Sequence, residues 1–571
     1  MTLSIVRRPP GDDSALPAEL HPLLRRLYAS RGVKLSDDLE RSLQGLHHYQ
    51  ALDGIQRAVA RLITALEQQQ RIVIIGDFDA DGATSTALCM LALRAFGANE
   101  LDYLVPNRFD YGYGLSPEIV EHAHQQGAQL LVTVDSGIAC ITGAQRAKEL
   151  GIDVIITDHH LPGTTLPEAA AIVNPNLSSC AFPSKNLAGV GVAFYLMSAL
   201  RAELQKLGKF HNNPPTLAQW LDIVALGTVA DVVKLDGNNR ILVYQGLQRI
   251  RAGRCRPGIR ALLDVAERPA QFLTSSDLGF VLGPRLNAAG RLDDMSLGIE
   301  CLLTDSYDDA LNIARRLDAL NKKRKHIEST MQQEAETHIQ ELNLSADDLP
   351  PALVLFNEAY HQGVIGIVAG RIKEKYYRPT IVMAAQDEQF LKGSARSIPG
   401  VHIRDLLEEV NTRHPRLLAK FGGHAMAAGL SIARQHLSDF EKALTSIANE
   451  WLQGKPLSGE LLSDGEVEDQ WLTLNTAKLL ADAGPWGQGF EAPMFDGEFA
   501  IVQQRLVGEK HLKLVLRTSQ GELVDAIAFN IDPQIWPDES VHTIHAVYRM
   551  DVNRFRGEEN LQLIIEALAA Q

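Results

Sequence analysis

Three aspartates at alternate positions, Asp77, Asp79 and Asp81, follow the apolar run Ile72-Val73-Ile74-Ile75 and a glycine. Other apolar runs end in similar groups. Gln129–Val134 runs into Asp135, Ile152–Thr157 into Asp158-His159-His160, and Leu221–Ala230 into Asp231. Crowded carboxylates repel one another and raise each other's pKa unless a cation sits among them. Hard divalent cations take oxygen ligands, and a mixed carboxylate and imidazole set suits Mn2+ or Mg2+. Asp77, Asp79, Asp81, Asp135 and Asp231 with the two histidines could hold two such ions. A pair of ions roughly 3.5–4 Å apart serves phosphoryl hydrolysis by activating water and stabilising the leaving oxygen. The same residue types also build solvated turns, and His159 with His160 also fits a core histidine beside a surface one.

For these groups to converge, their carriers must end on one edge. The β-branched run Ile72–Ile75 reads as a strand buried on both faces, and a helical pattern opens at Gly82. Leu101–Val105, Gln129–Val134, Ile152–Thr157 and Ala171–Val173 repeat the alternation with helical segments between them. Such βαβ units imply an α/β domain with a mostly parallel sheet, whose C-terminal strand ends share one edge.

Composition narrows the class. A chain of 571 residues holds several domains, with 45% hydrophobic and 22% charged residues, as in soluble globular proteins. No apolar run approaches the roughly 20 residues of a membrane span. The N-terminus carries no signal-peptide pattern, so the expectation is a cytoplasmic protein without a membrane role. Cys89, Cys140, Cys180, Cys255 and Cys301 are scattered, which disfavours zinc and fits a reducing compartment. The net charge of −15 opposes a nucleic-acid partner only weakly, because the candidate metal ligands are counted in it.

Along the chain, residues 1–50 read as an N-terminal flank, 51–304 as the α/β catalytic domain and 305–349 as a connecting helix. A smaller α/β domain follows at 350–455, then a C-terminal β-barrel at 456–571. In the connecting helix Leu311, Ala314, Leu317 and Leu320 make one apolar stripe, and the polar remainder predicts an exposed helix bridging two domains. Its cluster Lys322-Lys323-Arg324-Lys325 is either a nucleic-acid path or a solvated face. Gly393-Ser394-Ala395-Arg396-Ser397 and Phe421–Gly429 suit a phosphate-binding loop, or a tight turn against a packed helix. Predicted strands at Leu512–Leu516, Leu523–Phe529, Val541–Met550 and Asn560–Glu566 fit a small barrel. The interleaved Tyr548–Arg556 stretch suits an OB-fold stacking on single strands, or an ordinary barrel turn.

D-F-D-A-D-G, V-D-S-G, T-D-H-H and G-T-V-A-D resemble, in order, the motifs of the DHH phosphoesterase superfamily. H-Q-G-V-I-G-I-V-A-G-R, G-S-A-R-S and F-G-G-H-A-M-A-A-G resemble its associated DHHA1 domain. With L-G-P-R-L-N-A-A-G-R at Leu282–Arg291 and the barrel, the chain is similar to the single-strand-specific 5′→3′ exonuclease branch of that superfamily. The resemblance implies hydrolysis of single-stranded DNA to 5′-mononucleotides in recombination and repair. It implies that Asp77, Asp79, Asp81, Asp135, His159 and Asp231 ligate or border two Mn2+ or Mg2+ ions, with Asp135 bridging. It puts His160 beside the scissile phosphate, with Asp158 and Asp77 also in the catalytic set. Arg108, Arg285, Ser394 and Arg396 would hold the 5′-terminal phosphate. Asn287, Arg291, Gly422, Gly423 and His424 would complete the substrate path. Many superfamily members carry a histidine where this chain has Ile75, which makes Asp77 the substitute ligand. A monomer working with a single-strand-binding protein and a helicase is also implied. The alternatives are a short-oligonucleotide phosphodiesterase or phosphatase, which needs neither barrel nor bridging helix, and a non-catalytic replication scaffold, which would have lost metal ligands.

Overall fold

The computed structural model describes residues 4–106, 114–210, 213–341, 349–453 and 459–571. It divides into two compact units. One contains Ile5–Asp318 with Leu462–Gln571, and the other contains Ala319–Leu461 with Ser4.

The catalytic sheet has five parallel strands: β1 Ile72–Ile75, β2 Leu101–Leu104, β3 Leu130–Thr133, β4 Asp153–Thr157 and β5 Ala171–Val173. Their order across the sheet is β2-β1-β3-β4-β5. Every residue of β1 and β3 is buried, which is why these strands read as unbroken apolar runs. Helix α1, Ala80–Ala95, packs against α2, Gly189–Lys206, and α3, Leu221–Ala230. Small residues permit the close approach: a Cβ on Gly227 of α3 would lie 2.1 Å from Thr84 Oγ1 of α1. The apolar run before Asp231 is thus a buried helix, with the acid at its C-cap. After a turn of π-helix at Leu278–Leu282 comes α4, Gly283–Leu292.

Helix α5, Tyr307–Glu341, departs from the exposed bridge that its polarity predicts. A buried stripe runs its length through Ala310, Ala314 and Leu317, then Asp318, Asn321, Arg324 and Glu328, then Met331, Ala335 and Ile339. Leu311 and Leu320 are only half-buried. The middle of the stripe is polar yet satisfied: Arg324 donates to Glu328 and, at 2.6 Å, to Asn321 Oδ1. Arg324 is therefore committed inside the protein, and only Lys322, Lys323 and Lys325 of the basic cluster face outward.

The second unit carries a mixed sheet of β6 Leu353–Phe356, β7 Thr380–Ala385, β8 Phe390–Arg396, β9 Lys420–Gly423 and β10 Ala427–Ala433, ordered β9-β10-β8-β7-β6. Helix α6, Ile365–Tyr376, packs on it. The F-G-G-H-A-M-A-A-G stretch is a β-hairpin, with Gly422 opposite Gly429.

The C-terminal strands β11 Phe495–Val507, β12 His511–Arg517, β13 Leu523–Ala528, β14 Thr543–Phe555 and β15 Glu558–Ala570 close into a barrel, in the order β11-β12-β13-β15-β14. The expected small barrel is thus present, with one strand, β11, that sequence reading passed over. Its lead-in is clamped to the flank: Arg31 donates to both Asp464 oxygens at 2.8 Å, and the pair is buried. Tyr28 stacks on Trp486 and Phe490, and Leu235 N donates to Gln488 O at 2.8 Å. No helix among the described residues is long and apolar enough to cross a membrane.

Candidate metal centre

Strands β1, β3 and β4 are neighbours and parallel, so the residues after each emerge on one edge. Asp77 follows β1, Asp135 follows β3, and Asp158 with the two histidines follows β4. Asp135 turns back through a left-handed conformation, φ 56°. The N-terminus of α2 closes over it, and a Cβ on Gly189 would lie 2.5 Å from Asp135 Cβ, so only glycine fits there.

Three overlapping groups have their ligand atoms within 4.8 Å of one another: Asp77, Asp79 and Asp135; Asp81, His159 and Asp231; Asp135, His159 and His160. His159 Nε2 stands 3.0 Å from Asp135 Oδ1 and 3.4 Å from Asp231 Oδ2. His159 Nε2 and Asp231 Oδ2 are both buried and neither makes a hydrogen bond within the protein. Burial, then the neighbouring His160, pulls the His159 pKa down to about 4, so its ring is neutral and a lone pair is available. Burial, then the charges of Asp81 and Asp79, pushes the Asp135 and Asp231 carboxyls well above the usual range. Asp81 is pushed up to about 7 by burial and then by Asp79. Carboxylates and a neutral imidazole converging in a largely buried site fit a divalent cation, whose charge would reverse these shifts.

The ligand candidates differ in their other duties. Asp79 Oδ1 caps α1, accepting from Asp81 N at 2.9 Å and Gly82 N at 3.0 Å. Asp81 accepts from Gly189 N at 2.6 Å and Val190 N at 2.9 Å, and thereby fixes the start of α2 against the cluster.

Asp158 is 1% exposed and works as a clamp. Its Oδ1 accepts from His159 N at 2.7 Å and His160 N at 3.0 Å and lies 2.7 Å from His160 Nδ1, while Oδ2 accepts from Ile138 N at 2.9 Å. Burial would raise its pKa, but the hydrogen bond and charge of His160 outweigh that and hold it low. Burial would likewise lower His160, and the bond to Asp158 outweighs it and holds His160 above its ordinary value. Sequence reasoning gave no role to Asn174 and Asn176, which follow β5 on the same edge. Their side chains donate to His160 O at 2.9 Å and His159 O at 2.5 Å.

Among the substrate candidates in this unit, Asn287 Oδ1 accepts from Ala80 N at 2.8 Å and so steadies the Asp79–Asp81 turn. Arg285 is paired with Asp318 at 2.9 Å and donates to Val281 O at 2.7 Å. Arg291 lies half-buried on α4. Arg108 lies outside the described residues.

The second unit holds its own cluster. Arg396 Nη1 donates to Ser394 Oγ at 3.2 Å and to Ala395 O at 2.9 Å. Among the described residues no carboxylate pairs with this guanidinium, and burial alone pulls its pKa down. Gly366, at the start of α6, faces it, because a Cβ there would lie 2.9 Å from Ser394 Oγ. In the sheet Gly429 sits beside Ser394 and Gly422 beside Gly429. A Cβ on either glycine would meet nothing within 4 Å, so the fold does not demand glycine there, and the strip beside Ser394 is flat. Gly423 takes φ 149°, and His424 N closes the hairpin turn on Ala427 O at 2.8 Å.

Comparison with known proteins matches three separate stretches of the chain. The DHH family N-terminal domain matches residues 71–228, the DHHA1 domain matches 350–453, and the RecJ OB domain matches 463–567. The single-stranded-DNA-specific exonuclease RecJ of Escherichia coli (strain K12) is 55% identical over 568 residues, covering 99% of this chain and 98% of that one. Its counterpart from Thermus thermophilus is 32% identical over 551 residues, 95% of this chain and 76% of that one. The crystal structure of the Thermus thermophilus RecJ in complex with Mn2+ matches with a TM-score of 0.81 at 29% identity, covering 100% of this chain and 79% of that one. The corresponding Mg2+ complex matches at a TM-score of 0.76 and 28% identity, covering 100% and 78%. With three domain families matched along it and 55% identity to a relative over 99% of this chain and 98% of that one, the chain belongs to the RecJ family of single-stranded-DNA-specific exonucleases.

Proposed function

We propose that the chain is a single-stranded-DNA-specific exonuclease that hydrolyses phosphodiester bonds from the 5′ end and releases 5′-mononucleotides with two divalent cations. The observation that carries this reading is the buried, mutually facing pair of His159 Nε2 and Asp231 Oδ2 within a ring of carboxylates. Asp77, Asp79 and Asp135 would hold one ion and Asp81, His159 and Asp231 the other, with Asp135 close enough to His159 to be shared. Mn2+ or Mg2+ bound there lowers the pKa of water and offsets charge on the leaving oxygen. Asp158 fixes the His160 ring through Nδ1, which leaves Nε2 to meet a phosphate oxygen at the half-exposed rim of the cluster. The Arg396 guanidinium beside Ser394, without a carboxylate partner among the described residues, supports recognition of a terminal phosphate. A single-strand-binding protein and a helicase are the partners this reading implies, with the chain acting as a monomer.

The test is digestion of 5′- and 3′-labelled single strands and duplexes with Mn2+, Mg2+ or EDTA. Metal-dependent loss of nucleotides from the 5′ end of single strands alone is expected. Release from the 3′ end would overturn the polarity, activity confined to dinucleotides would favour the small-substrate phosphodiesterase, and no hydrolysis with either metal would favour the scaffold. Within that assay Arg396→Ala should weaken 5′-phosphorylated ends about ten- to a hundredfold, the worth of a charge-assisted contact of roughly 1.5–3 kcal/mol. Unphosphorylated ends should change little, and equal losses for both kinds of end would remove Arg396 from the phosphate pocket.

A further inference from the structure

Phe280 is 80% exposed, more than any other large apolar side chain among the described residues. It sits at the centre of the π-helical turn Leu278–Leu282, while Leu278 and Leu282 are fully buried. Isolated π-turns are frequent at functional sites. This one is locked against the end of α3. A Cβ on Gly279 would lie 3.2 Å from Val229 Cγ1, and one on Gly283 would lie 3.1 Å from Ala230 Cβ. Val229 and Ala230 are the two residues that precede Asp231. Val281 O is held by Arg285 at 2.7 Å. The ring thus projects into solvent from rigid backbone beside the acid cluster. Val232, just past Asp231, is 63% exposed and holds φ 62°, a conformation that a β-branched residue adopts only under strain.

The neighbourhood continues in the same chemical style. Phe272 lies on the same stretch, and the Arg554 guanidinium of the barrel stacks over it at 3.9 Å. The next barrel residue, Phe555, is 65% exposed, with Arg556 at 5.1 Å from its ring. Exposed π faces alternating with guanidiniums are what a single strand uses, since every base has a face to stack and every linkage a charge to meet.

We infer that Phe280 is a base-stacking platform that seats a nucleobase of single-stranded DNA at the mouth of the metal centre, on a track that continues to Phe555 of the barrel. The inference rests on the nuclease reading above. Stacking requires only a π face, so the subsite tolerates any base and places the backbone rather than reading the sequence.

The test uses the full-length chain with Mn2+ and a 5′-phosphorylated single strand carrying one abasic residue, moved one position at a time. Removing one stacked base corresponds to about ten- to a hundredfold in half-saturating strand concentration. In the wild type the penalty should appear sharply at one position near the 5′ end. Phe280→Ala and Phe280→Leu should raise the half-saturating concentration of the intact strand by about the same factor, lose that position-specific penalty, and unfold at the wild-type temperature. Phe280→Trp should restore both. Wild-type binding by Phe280→Ala, or full function in Phe280→Leu, overturns the platform, and so does an abasic penalty that survives both substitutions. The nuclease reading fails separately, if the wild type leaves intact single strands uncut.

Discussion

Asp135→Ala is expected to lower hydrolysis of labelled single strands by at least about a thousandfold, with the protein still folded. Asp135 is 1% exposed, joins two of the three candidate ligand groups, and stands 3.0 Å from His159 Nε2. On the proposed two-ion reading, removing it would take an oxygen from both candidate groups that contain it, Asp77 with Asp79 and His159 with His160. The fold should tolerate the change for an electrostatic reason. Without metal, the raised pKa values of Asp135, Asp231 and Asp81 mean that ionising them works against folding. Their favourable contribution is complete below the unfolded carboxylate value of about 3.9 and is lost as pH rises through the folded values, about 7 for Asp81. In EDTA at neutral pH the wild type should therefore unfold at a lower temperature than with Mn2+. Asp135→Ala should narrow that gap, since it removes one raised carboxyl while the backbone keeps the left-handed conformation, φ 56°, that Asp135 already holds. Near-wild-type turnover by folded Asp135→Ala, or an unchanged Mn2+ affinity in calorimetry, would sink the shared-ligand reading.

Much of this centre is legible in the sequence because the same feature marks strand and site. A parallel strand buried on both faces leaves an unbroken β-branched run, and the acid that ends it is then at the ligand edge. Asp77, Asp135 and the Asp158–His160 stretch follow from that alone. What is not legible depends on partners distant in the chain. Nothing around Asn287 points to Ala80 N, and Asn174 and Asn176 read as ordinary turn formers until β5 brings them under the histidines. Gly422 and Gly429 look like loop residues because isolated glycines carry no period, and only the ladder pairs them. Polar residues at helical spacing in α5 read as solvated, although Arg324, Asn321 and Glu328 satisfy one another inside. Strand β11 escaped because its outer half, from Val502 to Val507, is exposed or half-exposed throughout and lacks the alternation that marks a half-buried strand.

Asp158→Asn is the second change with a large expected effect, a fall in kcat of up to about ten-thousandfold, as for other carboxylates that orient a reacting histidine. The carboxylate receives N–H groups on both sides, from His159 and His160 at Oδ1 and from Ile138 at Oδ2, and an amide cannot match this pattern. Whichever way the asparagine turns, its NH2 faces at least one backbone donor, so stability should fall by about 1–3 kcal/mol. The proton on His160 Nδ1 also loses its charged acceptor, and the ring is no longer held with Nε2 toward the rim. Because His159 follows directly in the chain, a weakened metal site would give a similar loss, so the assay is run across a Mn2+ titration. Recovery of kcat at saturating Mn2+ would show that Asp158 acts through the His159 ligand, whereas a deficit that persists assigns it to His160. A double-mutant cycle separates the pair from the rest of the site. If Asp158 works by holding His160, adding Asp158→Asn to His160→Ala should cost almost no further kcat, since the two then fail as one unit. Fully multiplicative losses would mean that Asp158 and His160 serve different steps.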